Sequence, residues 1–263
     1  MRRAWLALLL LGSAWPATKL LVTVVEPRTC RPITDLQAAD FNVLDDRTPR
    51  RVEAAERAGG LMDIMLLLDT SLLGEMVQPV AGSLIDQLQP KDQMAVVAFH
   101  SAADLIQDFT SSRELLRRAI SSVKFGNAPR VLDALYAALD GGFSSSGFRR
   151  VIVLLTAGVE GPSRMSEHEV LRLARRNGVS VYPVYVVGAE RSLFERLARE
   201  TGGATFNLRE LRRRLEGPPG PRVFEVLRAG YTLTVAGNLS LGERIKVEVK
   251  RPARLMVSWL PLD

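Results

Sequence analysis

The sequence predicts an α/β fold built on a doubly wound, mostly parallel sheet with helices on both faces. Three observations predict it. Ile64-Met-Leu-Leu-Leu68 and Val151-Ile-Val-Leu-Leu155 are uninterrupted apolar runs, the pattern of strands buried on both sides. Segments with apolar residues at helical spacing alternate with such runs along the middle of the chain. The connections between them are short, as they are when successive strands and helices pack as neighbours. The 263 residues include 47% hydrophobic and 24% charged residues, which excludes a mainly disordered chain, a collagen-like repeat and a polytopic membrane protein.

The elements follow in order. Lys19 to Glu26 is rich in β-branched residues and reads as a strand, Pro27 to Pro32 as a turn, and Asp40 to Leu44 as a second short strand. Arg51 to Ala55 is a candidate third. This front piece has too few apolar residues to fold alone and needs a partner. Met62 then opens the central pattern. After the first apolar run come a helix over Met76 to Leu88, a strand at Met94 to Phe99 and an edge strand at Leu105 to Phe109. A helix over Ser112 to Val123 has Ser112 as its N-cap, with Leu115, Leu116 and Ile120 on one face. A helix over Pro129 to Leu139, the second apolar run, and a helix over Glu167 to Arg176 closed by Asn177-Gly178 come next. Val179 to Val187 is a strand, Leu193 to Arg199 a helix closed by Thr201-Gly-Gly203, Ala204 to Phe206 a short strand and Leu208 to Leu215 a helix. Gly217-Pro-Pro-Gly-Pro221 is a turn-rich break. Beyond it, Tyr231 to Val235, Ile245 to Val249 and Leu255 to Trp259 alternate as strands of a small antiparallel piece. The expected division is 1–17 leader, 18–58 β segment, 59–216 α/β domain, 217–221 linker and 222–263 β segment.

Residues 1–17 read as a secretory signal peptide. Met1-Arg-Arg is followed by the apolar run Ala4 to Leu11 and the small residues Gly12, Ser13 and Ala14. The run is shorter than the ~20 apolar residues that span a bilayer, and no later segment is apolar enough to do so. A secreted or periplasmic protein with no membrane span after signal cleavage is expected.

The remaining composition narrows the chemistry. A single cysteine, Cys30, excludes an intramolecular disulfide framework; it is either a small buried residue or a free thiol. The formal net charge is +6, but the arginines lie along helix faces (Arg172, Arg175, Arg176) without interleaved aromatic residues. Solvated helix surfaces explain them, and no nucleic-acid partner is expected. Asp104 and Asp108 on a strand share a face about 13 Å apart, too far for a carboxylate acid/base pair. The Gly-Gly pairs follow helices and end them, so no phosphate loop is present.

Ligands on such sheets bind beyond the carboxyl ends of the strands. Those ends carry Asp69-Thr-Ser-Leu-Leu73 and Thr156-Ala-Gly-Val-Glu160.

Met65-Leu-Leu-Leu-Asp-Thr-Ser71, Val131-Leu-Asp-Ala-Leu135, Val151-Ile-Val-Leu-Leu-Thr156 and Val181-Tyr-Pro-Val184 resemble the matching pieces of a von Willebrand factor type A domain. Leu21-Val-Thr-Val24, Ile33-Thr-Asp-Leu36 and Asp40-Phe-Asn-Val43 resemble the lead-in of exported bacterial proteins related to that domain. Tyr231-Thr-Leu233 and Ile245-Lys-Val247 resemble their C-terminal strands. The resemblance implies a Rossmann-like sheet, a β-module made from the two flanks, and a binding or adhesion role toward a protein partner.

It also implies where a magnesium ion sits in relatives that carry a metal-ion-dependent adhesion site (MIDAS). The pattern is Asp-x-Ser-x-Ser, a threonine before a later helix, and an aspartate after the central strand. Hydroxyl and carboxylate oxygens suit a hard ion that wants six oxygen ligands. In this sequence Asp69 and Ser71 match, whereas Leu73, Pro129 and Ala157 stand where the second serine, the threonine and the second aspartate belong. One carboxylate and one hydroxyl are too few for a reluctantly dehydrating cation. Asp69 and Ser71 are therefore expected to cap backbone N–H groups, Asp133 to be a helix-face charge, and Glu160 to be a weak substitute ligand.

The sequence reading is thus an exported, non-enzymatic, cofactor-free interaction module. Its partner-binding candidates are Ser71, Leu72, Ala128 and Gly158. Two alternatives stay open: a magnesium-dependent adhesion domain with a reorganised site, and a serine hydrolase using Ser71, for which no histidine stands at a motif-like spacing.

Overall fold

The computed structural model describes residues 17–72, 76–144, 146–214, 217–240 and 245–262. Residues 1–16, and with them nearly all of the expected signal peptide, lie outside the described residues, as do Leu73 and Leu215.

The central sheet is doubly wound, as the apolar runs require. β5 (Met62–Asp69) and β8 (Arg149–Thr156) lie side by side in parallel at its centre. β6 (Gln93–Phe99) and then β7 (Ala103–Thr110) extend it one way, and β9 (Val179–Tyr185) and the two-residue β10 (Phe206–Asn207) the other. All pairs are parallel except β6 with β7. Chain order reverses between β5 and β8, so the sheet's switch point lies at the carboxyl ends of these two strands.

One face is covered by α1 (Gln78–Ile85), α2 (Arg113–Ser121) and α7 (Gly220–Arg228). The other is covered by α3 (Val131–Leu139), α4 (Glu167–Arg176) and α5 (Arg191–Glu200). α6 (Leu208–Arg212) follows β10. Each face has its own apolar core, with Ile64, Leu66 and Leu68 of β5 facing one and Met65 and Leu67 the other. Ser112 caps α2 as expected, its hydroxyl accepting the Leu115 N–H at 3.4 Å. Leu115 itself is exposed, and the buried stripe of α2 is Leu116, Ala119 and Ile120.

The helix α7 corrects the sequence reading, in which residues 222–263 are β structure after a Pro/Gly linker. Pro221 stands at the second position of this helix, where its missing N–H costs nothing. Val223, Phe224, Val226 and Leu227 then pack into the core shared with α1.

The flanks fold together. β1 (Ala17–Val25) is paired on one side with β11 (Tyr231–Ala236) and on the other with β13 (Met256–Leu262), both antiparallel. β4 (Val52–Arg57) completes this sheet. A second sheet joins β12 (Ile245–Val249), β2 (Phe41–Asp45) and β3 (Thr48–Arg50). Leu20, Val22, Phe41, Val43, Tyr231, Leu233, Ile245 and Val247 close one core between the two sheets. This gives each small strand the cover it lacks alone.

The β-module is seated on the α/β unit by buried polar contacts. The Thr23 hydroxyl donates to the Gly202 carbonyl at 2.8 Å, and the Ser258 hydroxyl donates to that of Gly203. Gly202 has φ +72°, and a side chain there would lie 2.9 Å from the Leu260 Cβ. The glycine pair that ends α5 is therefore also the place where β13 comes closest. Cys30 is buried in the same junction, its thiol donating to the Thr205 carbonyl at 3.3 Å, and burial pushes its pKa up to about 12.

Candidate functional site

Asp69 ends β5 and is fully buried. Its Oδ1 accepts the Ser71 N–H at 2.9 Å, while Oδ2 accepts the Thr156 hydroxyl at 2.8 Å and the Ala157 N–H at 2.9 Å. The carboxylate thus ties together the ends of the two central strands across the switch point. Neighbouring bonds complete the brace. The Thr70 hydroxyl donates to the Phe99 carbonyl, and the Gly158 N–H to the Thr156 hydroxyl. Gly158 has φ +101°, and any side chain there would collide with the Val187 carbonyl, 1.9 Å from its Cβ position.

The loop before α3 is sewn to these ends. Gly126 donates its N–H to the Thr70 carbonyl and pairs as an isolated bridge with Ser71. Arg130 donates its N–H to the His100 carbonyl, and Gly161 donates to that of Pro129. Glu160, the expected weak substitute ligand, reaches across so that Oε2 accepts the Val131 N–H at 2.8 Å. It supplies the cap that the N-cap residue Arg130 does not provide. Burial raises the pKa of this carboxyl, against the lowering effect of its hydrogen bonds to Ser163, Val131 and Leu132.

Asp133 is more than a helix-face charge. Its Oδ1 accepts the N–H groups of Arg164 and Met165 at 2.7 and 2.9 Å and pins the loop leading to α4. No sequence signal separates such a carboxylate from a solvated one, because its donors lie thirty residues away.

The geometry bears on a divalent cation directly. Both oxygens of Asp69 are occupied by donors of the protein, Pro129 and Ala157 carry no side-chain oxygen, and the Ala157 N–H is itself one of those donors. The described residues therefore do not fit the octahedral oxygen set of magnesium. Two buried oxygens in this cluster lack hydrogen-bond partners among the described residues, Ser71 Oγ and Glu160 Oε1. Among the described residues no base bonds to Ser71 Oγ; the His100 Nδ1 is engaged by Ser101.

Of the four partner-binding candidates, Leu72 and Ala128 reach the surface, whereas Ser71 and Gly158 are buried because their backbones complete the strand ends. The side chains that project are Leu72, 69% exposed, Met76, 44% exposed, and Phe125, 38% exposed. Leu72 follows and Phe125 precedes the parallel Ser71–Gly126 bridge, so one stands on either side of it. The sequence reading did not single out Phe125; an aromatic residue beside a glycine in a polar loop is the signal that marks it.

The von Willebrand factor type A domain model matches residues 63–216, more than half of the chain. The chain belongs to the von Willebrand factor type A domain family. Domains of this family are protein-interaction and adhesion modules and are generally non-enzymatic.

Among solved structures, the chain is similar to proximal thread matrix protein 1 from the mussel byssus. Identity is 19% and TM-score 0.53, over 72% of this chain and 48% of that one. A structure of the same mussel protein with a zinc-occupied MIDAS motif matches at 20% identity and TM-score 0.53, again over 72% and 48%. This chain therefore spans about half of the mussel protein. An aerotolerance-related membrane protein from Bacteroides fragilis NCTC 9343 matches at 14% identity and TM-score 0.49, over 64% of this chain and 98% of that one. At these identities the likeness is one of fold. No curated protein matches the chain. Among the described residues, no helix is long and apolar enough to cross a membrane.

Proposed function

We propose that this chain is an exported, non-enzymatic protein-binding module of the von Willebrand A family, whose grip is formed by the loops at the carboxyl end of the sheet without a divalent cation. The observation that carries the reading is the state of Asp69. Its carboxylate is consumed by three internal donors, and the side chains offered to a partner beside it are the apolar Leu72 and Phe125. Export is supported by the opening Met1-Arg-Arg, the apolar run and the small residues before Ala17.

A photo-crosslinking amino acid at position 72 or 125, expressed in the native cell, tests the reading. The expected result is a discrete adduct formed outside the cytoplasm, unchanged by EDTA and lost when the other position is changed to aspartate. An adduct abolished by EDTA and restored by magnesium would refute cation independence. N-terminal sequencing that still read Met1-Arg2-Arg3 would refute export.

The unpaired Ser71 Oγ and Glu160 Oε1 favour one second reading, a reorganised cation site. Calorimetric titration with manganese separates the two: saturable, stoichiometric heat that disappears in Glu160→Gln supports the second reading.

A further inference from the structure

A second surface lies away from the carboxyl-end loops, along the free edge of β7. Among the described residues nothing pairs with the outer side of this eight-residue strand. On the α3 face, Ala137 and Ala138 of α3 stand beside this strand. The result is a half-open hollow of about 160 Å³, lined by Met65, Val97, Ala103, Leu105, Phe109 and Ala137, among other apolar groups. A dry cavity of about 150 Å³ is enough to take up benzene, so this hollow has room for one aromatic or leucine-sized group. Leu105, which lines it, is 61% exposed, and the lining ring of Phe109 is held by a tilted contact with the buried Phe143, with centroids 5.7 Å apart.

The same edge is acidic in a chain of net charge +6. The register between β6 and β7 shifts twice, and the bends place Asp108 at the mouth of the hollow. Asp104 pairs with Ala98, while the hollow-lining Leu105 pairs with Val97, so Asp104 projects to the opposite face of the edge. Both carboxylates are exposed, and neither makes an ion pair among the described residues. An unpaired strand edge, a pocket for one apolar side chain and carboxylates on both faces are the three parts of a β-augmentation site.

We infer that β7 accepts an extended, basic segment of a protein partner. That segment adds as a further strand, sets one aromatic or leucine side chain in the hollow and places lysine or arginine against Asp108 and Asp104. A second copy of this chain is the poorer occupant, because antiparallel pairing of two β7 edges would set four carboxylates along one seam.

The test is amide-shift mapping on the isotope-labelled full chain with the peptide acetyl-Lys-Thr-Phe-Lys-Thr-amide, which sets one lysine on the face of the phenylalanine and one on the opposite face, and its glutamate counterpart. The lysine peptide is expected to shift Ala103–Thr110 and Ala137–Gly142, and to bind at least about tenfold more tightly than the glutamate peptide. Asp108→Lys should reverse that preference. Ala137→Phe, at an exposed position where the fold tolerates a larger side chain, should abolish binding by filling the hollow. Equal affinity for the two peptides, shifts confined to the loops around Leu72 and Phe125, or no shifts at millimolar peptide would overturn the proposal. A concentration-dependent dimer lost in Leu105→Lys would overturn it in favour of a second copy.

Discussion

Asp69→Ala separates a structural carboxylate from a ligand carboxylate by the sign of its effect. In this fold Asp69 satisfies two backbone N–H groups and one hydroxyl, at distances of 2.8 to 2.9 Å, in a fully buried site. Removing the acceptor strands all three. An unsatisfied buried donor costs about 1–3 kcal/mol, and the Thr156 hydroxyl can rotate to another acceptor, so the two N–H groups set the scale. A loss of about 3–5 kcal/mol is expected, which in a chain of this size lowers Tm by roughly 6–20 °C. An aspartate kept mainly to bind a cation would behave in the opposite way. Without metal its buried charge is a burden, and removing it leaves stability unchanged or raised. The assay is urea unfolding followed by far-UV circular dichroism in the presence of EDTA, with Asp69→Asn beside Asp69→Ala. Asparagine keeps one acceptor oxygen and should fall between wild type and alanine. A loss below about 1 kcal/mol for Asp69→Ala would refute the brace, because even one orphaned N–H costs that much.

Burial raises the pKa of Glu160, so its carboxyl is more easily protonated in the folded chain than in the unfolded one. The protonated form is favoured by folding, and that contribution is lost as pH rises from the ordinary carboxylate range through the raised value. Relative to Glu160→Gln, the wild type should therefore gain Tm as pH falls through this window; a relative loss on acidification would contradict the buried carboxyl. Glu160→Ala removes the cap on α3 and should cost about 1 kcal/mol at pH 7, measured by urea unfolding. With its pKa pushed up to about 12, the Cys30 thiol should react with Ellman's reagent at pH 8 only at the rate of unfolding, and immediate labelling of the folded chain would refute its burial. Deleting Met256–Leu262 removes the partner of β1 from Lys19 to Val25 and the Ser258 bond to Gly203. Limited proteolysis should then cut within residues 17–36, and an unchanged protection pattern would show that β1 holds without β13.

The sequence by itself determined the layered core. Runs such as Ile64 to Leu68 and Val151 to Leu155 are apolar on every residue, and only a strand covered on both faces removes all of that surface from water. It also determined the helix of residues 167–176, whose Ser166 and Glu169 form a reciprocal cap within four residues. The flank strands were legible as strands, because alternation is a local pattern, and their need for each other followed from their size. What the tertiary structure alone decided depends on partners far apart in the chain. Gly217 to Pro221 read as a break and the residues after it as a β segment; Gly220–Arg228 form α7 because α1 offers a core for Val223 and Phe224, and no local spacing announces that neighbour. Asp69 was readable as the end of a strand, but its three donors come from Ser71 beside it and from Thr156 and Ala157 on another strand. Glu160 caps a helix that begins twenty-nine residues earlier. Leu105 and Asp108 belong to an ordinary-looking edge strand until two shifts of register set them around a hollow beside α3. Periodicity records which faces must leave water, whereas donors, caps and hollows depend on which distant segments those faces meet.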